Sequence, residues 1–292
     1  MGELDGRVAV VTGAGVVGGI GSAVARAMAQ AGAKVVLADL ERTELADIPG
    51  TGSLAEVTKG LQEEGYAVSA FSFDLRDEST IQALIAFTLD QYGRLDIIDN
   101  NAAATHLVPE DKEVIAASSE VWDDTLAINL RGAMLMCKHG IPAMIRSGGG
   151  AVINHSSGKS VTGDLDGPAY SASKAALHSL SQDIATMYGA NGIRANTIVT
   201  GVIGTALMKQ ILPPDMKDAI LRECLVPRFG EPEDVANLVV FLASDRSSYI
   251  TAQLIGCDGG LHSHVPWYGW RRREMADRGL TRIRNSHQDN AR

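Results

Sequence analysis

Residues 7–21 have the sequence RVAVVTGAGVVGGIG, an apolar run that leads into a turn with five glycines. The run from Arg7 to Gly13 predicts a buried strand, and the run from Ser22 to Ala31 predicts the helix after the turn. Glycines let the backbone approach a pyrophosphate, and a helix N-terminus offers unpaired N–H groups and a positive dipole end. A glycine-rich loop alone is weak evidence, but this one opens a strand-helix-strand unit, which favours a phosphate-binding turn.

The second predicted strand, Lys34–Asp39, ends in a carboxylate eighteen residues after Gly21. An acid at this place can accept hydrogen bonds from an adenosine ribose and repels a 2′-phosphate, which predicts NAD rather than NADP. The glycine loop carries no Lys or Arg, although Arg42 could offset part of the repulsion. The alternative is that Asp39 is only a turn residue at the end of a strand.

A second signal lies in residues 168–174, PAYSASK, where Tyr170 and Lys174 are four positions apart. On a helix this spacing places both side chains on one face. A tyrosine that titrates near pH ~10 needs about 4 kcal/mol to work as an acid or base near neutrality, and one positive charge at ~4 Å supplies roughly that much. We therefore expect Lys174 to lower the pKa of Tyr170, although the same pattern also occurs on ordinary helix surfaces.

Together these segments resemble the short-chain dehydrogenase/reductase family, from about Leu4 to Gly260. The matching pieces are Thr12-Gly13 with Gly19-Ile20-Gly21, Asp74-Leu75, Asn100-Asn101-Ala102, Asn129, Ser157, Tyr170 to Lys174, and Asp258-Gly259-Gly260. The resemblance implies that Ser157 binds the substrate oxygen, Tyr170 transfers the proton, Lys174 tunes Tyr170 and binds ribose, and Asn129 anchors a water-mediated proton relay. Ser156 is the adjacent candidate, which we set aside on spacing.

The same resemblance implies a set of cofactor contacts. Asp74 and Leu75 would flank the adenine, Asn101 would lie near the cofactor, and Ile203 and Thr205 would contact the carboxamide end. The full predicted cofactor-binding set is Gly13, Gly15, Gly19, Ile20, Gly21, Asp39, Asp74, Leu75, Asn101, Ala102, Tyr170, Lys174, Ile203 and Thr205.

The chain departs from the family pattern at several positions. The glycine loop is two residues longer than usual, so the sequence does not decide which glycines touch phosphate. Ala103, Thr200 and Ala252 replace residues that are usually glycine, proline and glycine. Asp99 occupies a strand position that is usually apolar, and because burial of an unpaired carboxylate is costly we expect a partner or a water there.

The order of predicted elements indicates an α/β fold. Seven strands separated by helical runs predict a doubly wound parallel sheet of the Rossmann type, with helices on both faces and the cofactor along the carboxyl ends of the strands. The predicted strands are Arg7–Gly13, Lys34–Asp39, Val68–Leu75, Asp96–Asn101, Ala151–Ser157, Arg194–Thr200 and Gln253–Cys257. The chain has 292 residues, 45% of them hydrophobic, which suits one catalytic domain over residues 1–260.

Residues 261–292 differ from the rest, because they combine seven arginines with Trp267, Tyr268 and Trp270. This tail is predicted either to be a solvated segment or to pack on a neighbouring subunit and border its active site. The remaining chain has no basic surface and the net charge is −9, which argues against a nucleic-acid partner.

Cofactors other than the dinucleotide are not expected. Cys137, Cys224 and Cys257 match no redox or metal spacing, and the histidines lack the paired spacing of a metal site. No signal peptide or apolar run long enough to span a membrane is present, so we expect a cytoplasmic protein with no membrane partner.

The predicted function is the NAD-dependent interconversion of a secondary alcohol and its ketone. Residues 106–108, 161–165 and 204–225 are expected to border the pocket, and their largely apolar character, with Asp164 and Asp166 as exceptions, favours a cyclic or aliphatic substrate. Two alternatives stay open: an NAD-binding sensor or scaffold without turnover, and a nucleotide-dependent epimerase or dehydratase. The resemblance also implies a homotetramer formed by the helices around Trp122 to Lys138 and Tyr170 to Tyr188.

Overall fold

The computed structural model describes residues 2–41, 52–205, 208–209 and 212–279. Arg42, Ile211 and the arginines from Arg282 onward, which figured in the sequence predictions, lie outside these ranges. Within the described residues, seven parallel strands form one sheet in the order β3-β2-β1-β4-β5-β6-β7. The strands are β1 (Val8–Thr12), β2 (Lys34–Asp39), β3 (Val68–Ser72), β4 (Ile97–Asn100), β5 (Gly150–Ser157), β6 (Ile193–Thr200) and β7 (Leu254–Cys257).

Helices cover both faces of this sheet. They are α1 (Ile20–Gln30), α2 (Leu54–Glu63), α3 (Glu78–Tyr92), α4 (Ser119–Leu126), α5 (Ala133–Arg146), α6 (Pro168–Tyr188), α7 (Pro214–Glu223), α8 (Pro232–Ala243) and α9 (Tyr268–Asp277). Helices α1, α2 and α8 bury apolar side chains against one face, and α3, α5 and α6 bury theirs against the other. The predicted doubly wound, Rossmann-type fold is therefore confirmed.

Local sequence signals explain where these elements begin and end. Strand β1 is buried at every position, as expected of a parallel strand covered on both sides. Ser53 and Glu56 form a capping box at the start of α2: Ser53 Oγ accepts a hydrogen bond from the N–H of Glu56 at 3.2 Å, and Glu56 Oε2 accepts from the N–H of Ser53 at 3.0 Å. Ala252 has φ +60°, a left-handed conformation that accounts for the glycine expected there.

The order of the strands places the carboxyl ends of β1 and β4 at a switch point. Chain connections leave β1 toward β2 on one side and reach β4 on the other. In open α/β sheets ligands bind in the crevice at such a point. The glycine-rich turn follows β1 directly, and Ser157 is the last residue of β5, the neighbour of β4.

Candidate active site

The glycines of the turn between β1 and α1 have two different roles. A Cβ on Gly13 would lie 2.8 Å from Ala102 Cα, and one on Gly21 would lie 2.2 Å from the Gly13 carbonyl oxygen, so these two glycines permit close backbone packing. Gly18 has φ +67° and open space around it, and Gly19 is the N-cap of α1, which no side chain caps. Among the five glycines of the turn, Gly18 is thus the one with open space around it, and it lies next to the uncapped N-terminus of α1, where backbone N–H groups favour an anion.

Asp39 lies against this loop at the end of β2. Its buried carboxylate accepts hydrogen bonds from the N–H of Gly15 through Oδ2 and from the N–H of Leu40 through Oδ1, both at 2.8 Å. The Gly15 bond ties the carboxylate to the turn that faces the cofactor crevice. Gly15 therefore positions Asp39.

Asn101 and Thr12 fasten the glycine turn to the end of β4. Asn101 Nδ2 donates to the carbonyl oxygens of Thr12 and Gly13 at 2.9 and 3.1 Å. Thr12 Oγ1 accepts from the N–H groups of Asn101 and Ala102, both at 3.1 Å. Asn101 and Ala102 thus hold the turn in shape, a role that the sequence did not indicate.

The other predicted cofactor residues lie around the same crevice. Asp74 is paired with Arg76 at 2.7 Å, and this side-chain hydrogen bond is the main reason why the pKa of Asp74 is lowered. Leu75 packs under Gly132, where a Cβ would come within 2.8 Å of the leucine Cβ. Ile203 is buried and forms a parallel bridge with Gly230, and Thr205 Oγ1 accepts from the N–H of Met208 at 3.2 Å.

These residues fit a dinucleotide. The uncapped N-terminus of α1, the open backbone at Gly18, and a buried carboxylate at the end of β2 are the groups that a pyrophosphate and a ribose require. Within the described residues no three His, Cys, Asp or Glu side chains gather in a way that could hold a metal ion.

Helix α6 carries Tyr170 and Lys174 beside the end of β5. Lys174 Nζ lies 5.7 Å from the centre of the Tyr170 ring and donates a hydrogen bond to the carbonyl oxygen of His155 at 2.7 Å. Ser157 ends β5, and its hydroxyl opposes part of the rise that burial causes in the pKa of Tyr170. Ser156 Oγ instead donates a hydrogen bond to the carbonyl oxygen of Lys174 at 2.8 Å, which supports the choice of Ser157.

The pKa of Tyr170 is raised, which corrects the expectation that Lys174 lowers it. Burial disfavours the phenolate, and the hydrogen bond with Ser157 and the charge of Lys159 oppose only part of this effect. Lys174 is directed at the His155 carbonyl, and burial lowers the pKa of its ammonium to about 8. The cation that acts on Tyr170 in this structure is Lys159, which the sequence prediction did not include.

Asn129 lies in a π-helical turn, Ala127–Gly132, between α4 and α5. Its Oδ1 accepts from the N–H of Ala104 at 2.8 Å, and its Nδ2 donates to Ser173 Oγ at 3.0 Å. Ser173 Oγ in turn donates to the carbonyl oxygen of Tyr170 at 2.7 Å. Asn129 is therefore joined to the catalytic helix through Ser173. Single π turns of this kind often occur at functional sites.

Asp111 is a site residue that sequence reasoning missed. Its buried carboxylate accepts hydrogen bonds from the N–H of Ala169 at 3.3 Å and of Tyr170 at 2.8 Å, and so caps α6 from a distant loop. Gly167, which precedes the helix, has φ +75° and provides no side-chain cap. One sequence feature could have indicated this contact. The residue before Pro168 is Gly167 and not Ser, Thr, Asp or Asn, so the first N–H groups of α6 need an acceptor from another segment.

The hydrogen-bond partner of Asp99 is His155. The Asp99 Oδ1 to His155 Nε2 distance is 2.8 Å, and both side chains are buried between β4 and β5. Asp99 Oδ2 and His155 Nδ1 make no hydrogen bond to any described residue. The expected partner for Asp99 is confirmed, and the main-chain carbonyl of the same histidine receives Lys174.

A charged group lies in the 3₁₀ turn Gly158–Ser160, which directly follows Ser157. Lys159 Nζ is 2.8 Å from both Asp164 Oδ2 and Asp166 Oδ1. Leu165 between these aspartates is 92% exposed, and Val161 is 48% exposed. The predicted pocket border at 161–165 therefore has exposed apolar side chains next to Lys159, whose charge is balanced by two aspartates.

Comparison with known proteins agrees with this geometry. A family model described as Enoyl-(Acyl carrier protein) reductase matches residues 13–262. A Bradyrhizobium diazoefficiens protein named "Probable short-chain type dehydrogenase/reductase" is 42% identical over 269 residues, which cover 92% of each chain. The chain belongs to the short-chain dehydrogenase/reductase family.

Other members of the short-chain dehydrogenase/reductase family show the range of substrates. A 7alpha-hydroxysteroid dehydrogenase of Bacteroides fragilis is 34% identical and covers 91% of this chain and 98% of its own. A gluconate 5-dehydrogenase of Burkholderia cenocepacia, solved in complex with NADP and tartrate, superposes with a TM-score of 0.79 at 28% identity, covering 90% of this chain and 97% of its own.

The tail of this short-chain dehydrogenase/reductase contacts its own chain. His264 Nε2 lies 2.6 Å from the carbonyl oxygen of Glu223, the last residue of α7, and Arg272 Nη1 donates to the carbonyl oxygen of Cys224 at 3.1 Å. Helix α9 thus packs on α7, while Trp267 and Trp270 stay 56% and 65% exposed. None of the described helices has the length and apolar character needed to cross a membrane.

Proposed function

We propose that this short-chain dehydrogenase/reductase interconverts a secondary alcohol and its ketone with NAD. The observation that carries the proposal is that α6 brings Tyr170 and Lys174 to the carboxyl end of β5, where Ser157 lies, at the same edge of the parallel sheet as the glycine turn that follows β1. A protein that only binds a dinucleotide has no need of a proton-transfer group at this place.

Each residue has a part in moving one proton. In oxidation, the phenolate of Tyr170 takes the proton of the substrate hydroxyl, and Ser157 holds the same oxygen by a hydrogen bond. In reduction, the protonated Tyr170 donates a proton to the forming alkoxide. A bound nicotinamide supplies the hydride acceptor or donor and, in its oxidised form, a positive charge near the phenol.

The water-mediated path beyond Tyr170 is assigned to Asn129 and Lys174. Both side chains are buried, and Ser173 joins Asn129 to the backbone of α6. Lys174, held by the carbonyl of His155, has its Nζ 5.7 Å from the centre of the tyrosine ring, and its ammonium would also suit the ribose hydroxyls. We assign proton exit to this side of the site.

NAD is the proposed cofactor because Asp39 ends β2, where its carboxylate would accept hydrogen bonds from the ribose and would repel a 2′-phosphate. The carboxylate is buried and fixed by the N–H groups of Gly15 and Leu40, so it cannot easily turn away. The gluconate 5-dehydrogenase that resembles this chain was solved with NADP, so the fold by itself does not exclude NADP.

We expect kcat/KM to favour NAD over NADP by at least about tenfold, since like charges at contact distance repel by roughly 1–3 kcal/mol. The Asp39→Ser variant should lose most of this preference by gaining activity with NADP. Initial rates with both cofactors at one fixed alcohol concentration provide the measurement. A higher kcat/KM of the native protein with NADP would overturn the assignment.

The proposed substrate is an uncharged cyclic or aliphatic alcohol. The pocket border combines the exposed apolar side chains of Val108, Val161 and Leu165 with Lys159, whose charge is balanced by two aspartates. The 7alpha-hydroxysteroid dehydrogenase among the relatives acts on an alcohol of this kind, which supports the choice of class.

The decisive experiment uses Tyr170→Phe. We expect this variant to lose about 10²- to 10⁴-fold in kcat, because general acid–base catalysis contributes a factor of that size, while NAD still binds and quenches protein fluorescence. Because the pKa of Tyr170 is raised, alcohol oxidation by the native protein should increase with pH above neutrality as the phenolate fraction grows. Near-normal kcat in Tyr170→Phe would overturn the mechanism.

A further inference from the structure

The chain that follows β7 returns to the active site. Asp258-Gly259-Gly260 forms a turn in which both glycines have positive φ, +61° and +78°. After this turn the ring of His262 lies against the backbone of Gly158, the residue that follows Ser157. A Cβ on Gly158 would be 2.2 Å from His262 Cε1 and 2.3 Å from Nε2, so the two groups are in direct contact.

Asp258 fixes the orientation of this ring. Its Oδ2 is 2.8 Å from His262 Nδ1 and accepts from the N–H of His262 at 3.1 Å, while Oδ1 accepts from the N–H of Gly260 at 2.9 Å. Burial raises the pKa of Asp258, but these hydrogen bonds outweigh it and the net pKa is lowered. The group is therefore a carboxylate, which can only accept, and Nδ1 must carry the proton.

The consequence concerns the other nitrogen of the ring. In a neutral imidazole with its proton on Nδ1, Nε2 has a free lone pair and can only accept a hydrogen bond. Among the described residues none donates a hydrogen bond to His262 Nε2. This atom contacts the backbone of Gly158, the residue that directly follows Ser157 at the end of β5.

We propose that His262 is a specificity-determining residue whose Nε2 accepts a hydrogen bond from a second hydroxyl group of the substrate. The inference rests on the proposed alcohol oxidation, which it refines. It names diols and polyols, in which a second O–H lies a few bonds from the reacting carbon, as the preferred substrates. A site built to bond a hydroxyl discriminates against an analogue that lacks it, because its own acceptor is then left unpaired.

The test compares alcohols that differ only in the second hydroxyl. Suitable pairs are cyclohexanol with cis- and trans-1,2-cyclohexanediol, 2-butanol with 2,3-butanediol, and a monohydroxy steroid with a dihydroxy steroid that shares the reacting group. In the native protein we expect kcat/KM for at least one diol to exceed that of its partner by about fivefold to tenfold, the value of one neutral hydrogen bond.

The His262→Asn variant separates the proposed role from a structural one. An asparagine amide can keep the hydrogen bond to Asp258 that Nδ1 makes, but it has no atom at the place of Nε2. We expect the diol preference to fall about fivefold in this variant. In His262→Gln, whose amide reaches farther along the side chain, we expect part of the preference to remain.

The outcomes separate this inference from the proposed function. An unchanged diol preference in His262→Asn, or an equal loss for both members of a pair, would overturn the role of His262 while alcohol oxidation stands. Absence of turnover of every alcohol by the native protein would overturn the proposed function itself, and this inference with it. Melting temperatures of both variants identify any misfolded one, and the other then decides.

Discussion

At the scale of single residues, the pair of Asp99 and His155 is the clearest departure from an apolar core. Both side chains are buried on the face of the sheet that carries Ile97 and Ile153, and each has one polar atom without a hydrogen bond to any described residue. Two half-satisfied groups of this kind cost free energy unless their mutual contact is strong. The pair therefore makes each residue dependent on the other.

A double-mutant cycle tests this dependence. Because removal of one partner leaves a buried polar or charged group alone, Asp99→Leu and His155→Ile should each lower the free energy of unfolding by about 3 kcal/mol. The double variant restores an apolar contact and should lie within about 1 kcal/mol of the native protein. Urea unfolding followed by circular dichroism gives the three differences. Losses that simply add would show that the pair is not coupled.

At the scale of elements, the catalytic helix α6 depends on segments that are remote in sequence. Asp111 caps its N-terminus, Ser173 links it to the π turn at Asn129, and the carbonyl of His155 on β5 holds Lys174. Three different elements thus fix the position of Tyr170. The tail provides a comparable contact elsewhere, because α9 holds the end of α7 through His264 and Arg272.

Removal of the tail after His262 tests that contact and leaves His262 in place. Loss of the bonds to Glu223 and Cys224, each worth about 1 kcal/mol, should loosen α7 and raise the substrate KM by about tenfold. Trypsin should also cleave faster at Lys217 within α7, as measured by mass spectrometry of the fragments. An unchanged KM and cleavage rate would contradict this role, and unchanged assembly would remove the alternative that the tail packs on a neighbouring subunit.

At the scale of the whole molecule, the sequence was sufficient for the architecture, while the roles of the site residues stay predictions. Strands β1 and β2 are near-continuous apolar runs, and the four-residue step from Tyr170 to Lys174 identifies one helix face. The direction of Lys174 Nζ could not be predicted, since its acceptor is a main-chain carbonyl on another element. The cap from Asp111 and the π turn at Asn129 likewise arise from tertiary packing, which local patterns do not encode.

Assembly is the remaining expectation at this scale. Leu177 and Ile184 of α6 are buried in the core of their own chain, so they are not available to a partner. The large apolar side chains that stay exposed on α4, α5 and α6 are Trp122 at 38%, Met134 at 38% and Met187 at 64%. These side chains are the apolar area that the expected homotetramer contact would bury.

We therefore expect light scattering to give four times the mass of one chain. A Trp122→Glu and Met187→Glu double variant should dissociate into smaller species, because each apolar side chain contributes about 1 kcal/mol or more when buried and a charge there must be desolvated. Ile115→Glu provides a control, since this residue is 96% exposed on a loop outside these helices and its replacement should leave the mass unchanged. A native protein that scatters as a monomer would show that these helices do not form the contact, and the exposed methionine and tryptophan would then belong to an ordinary solvated surface.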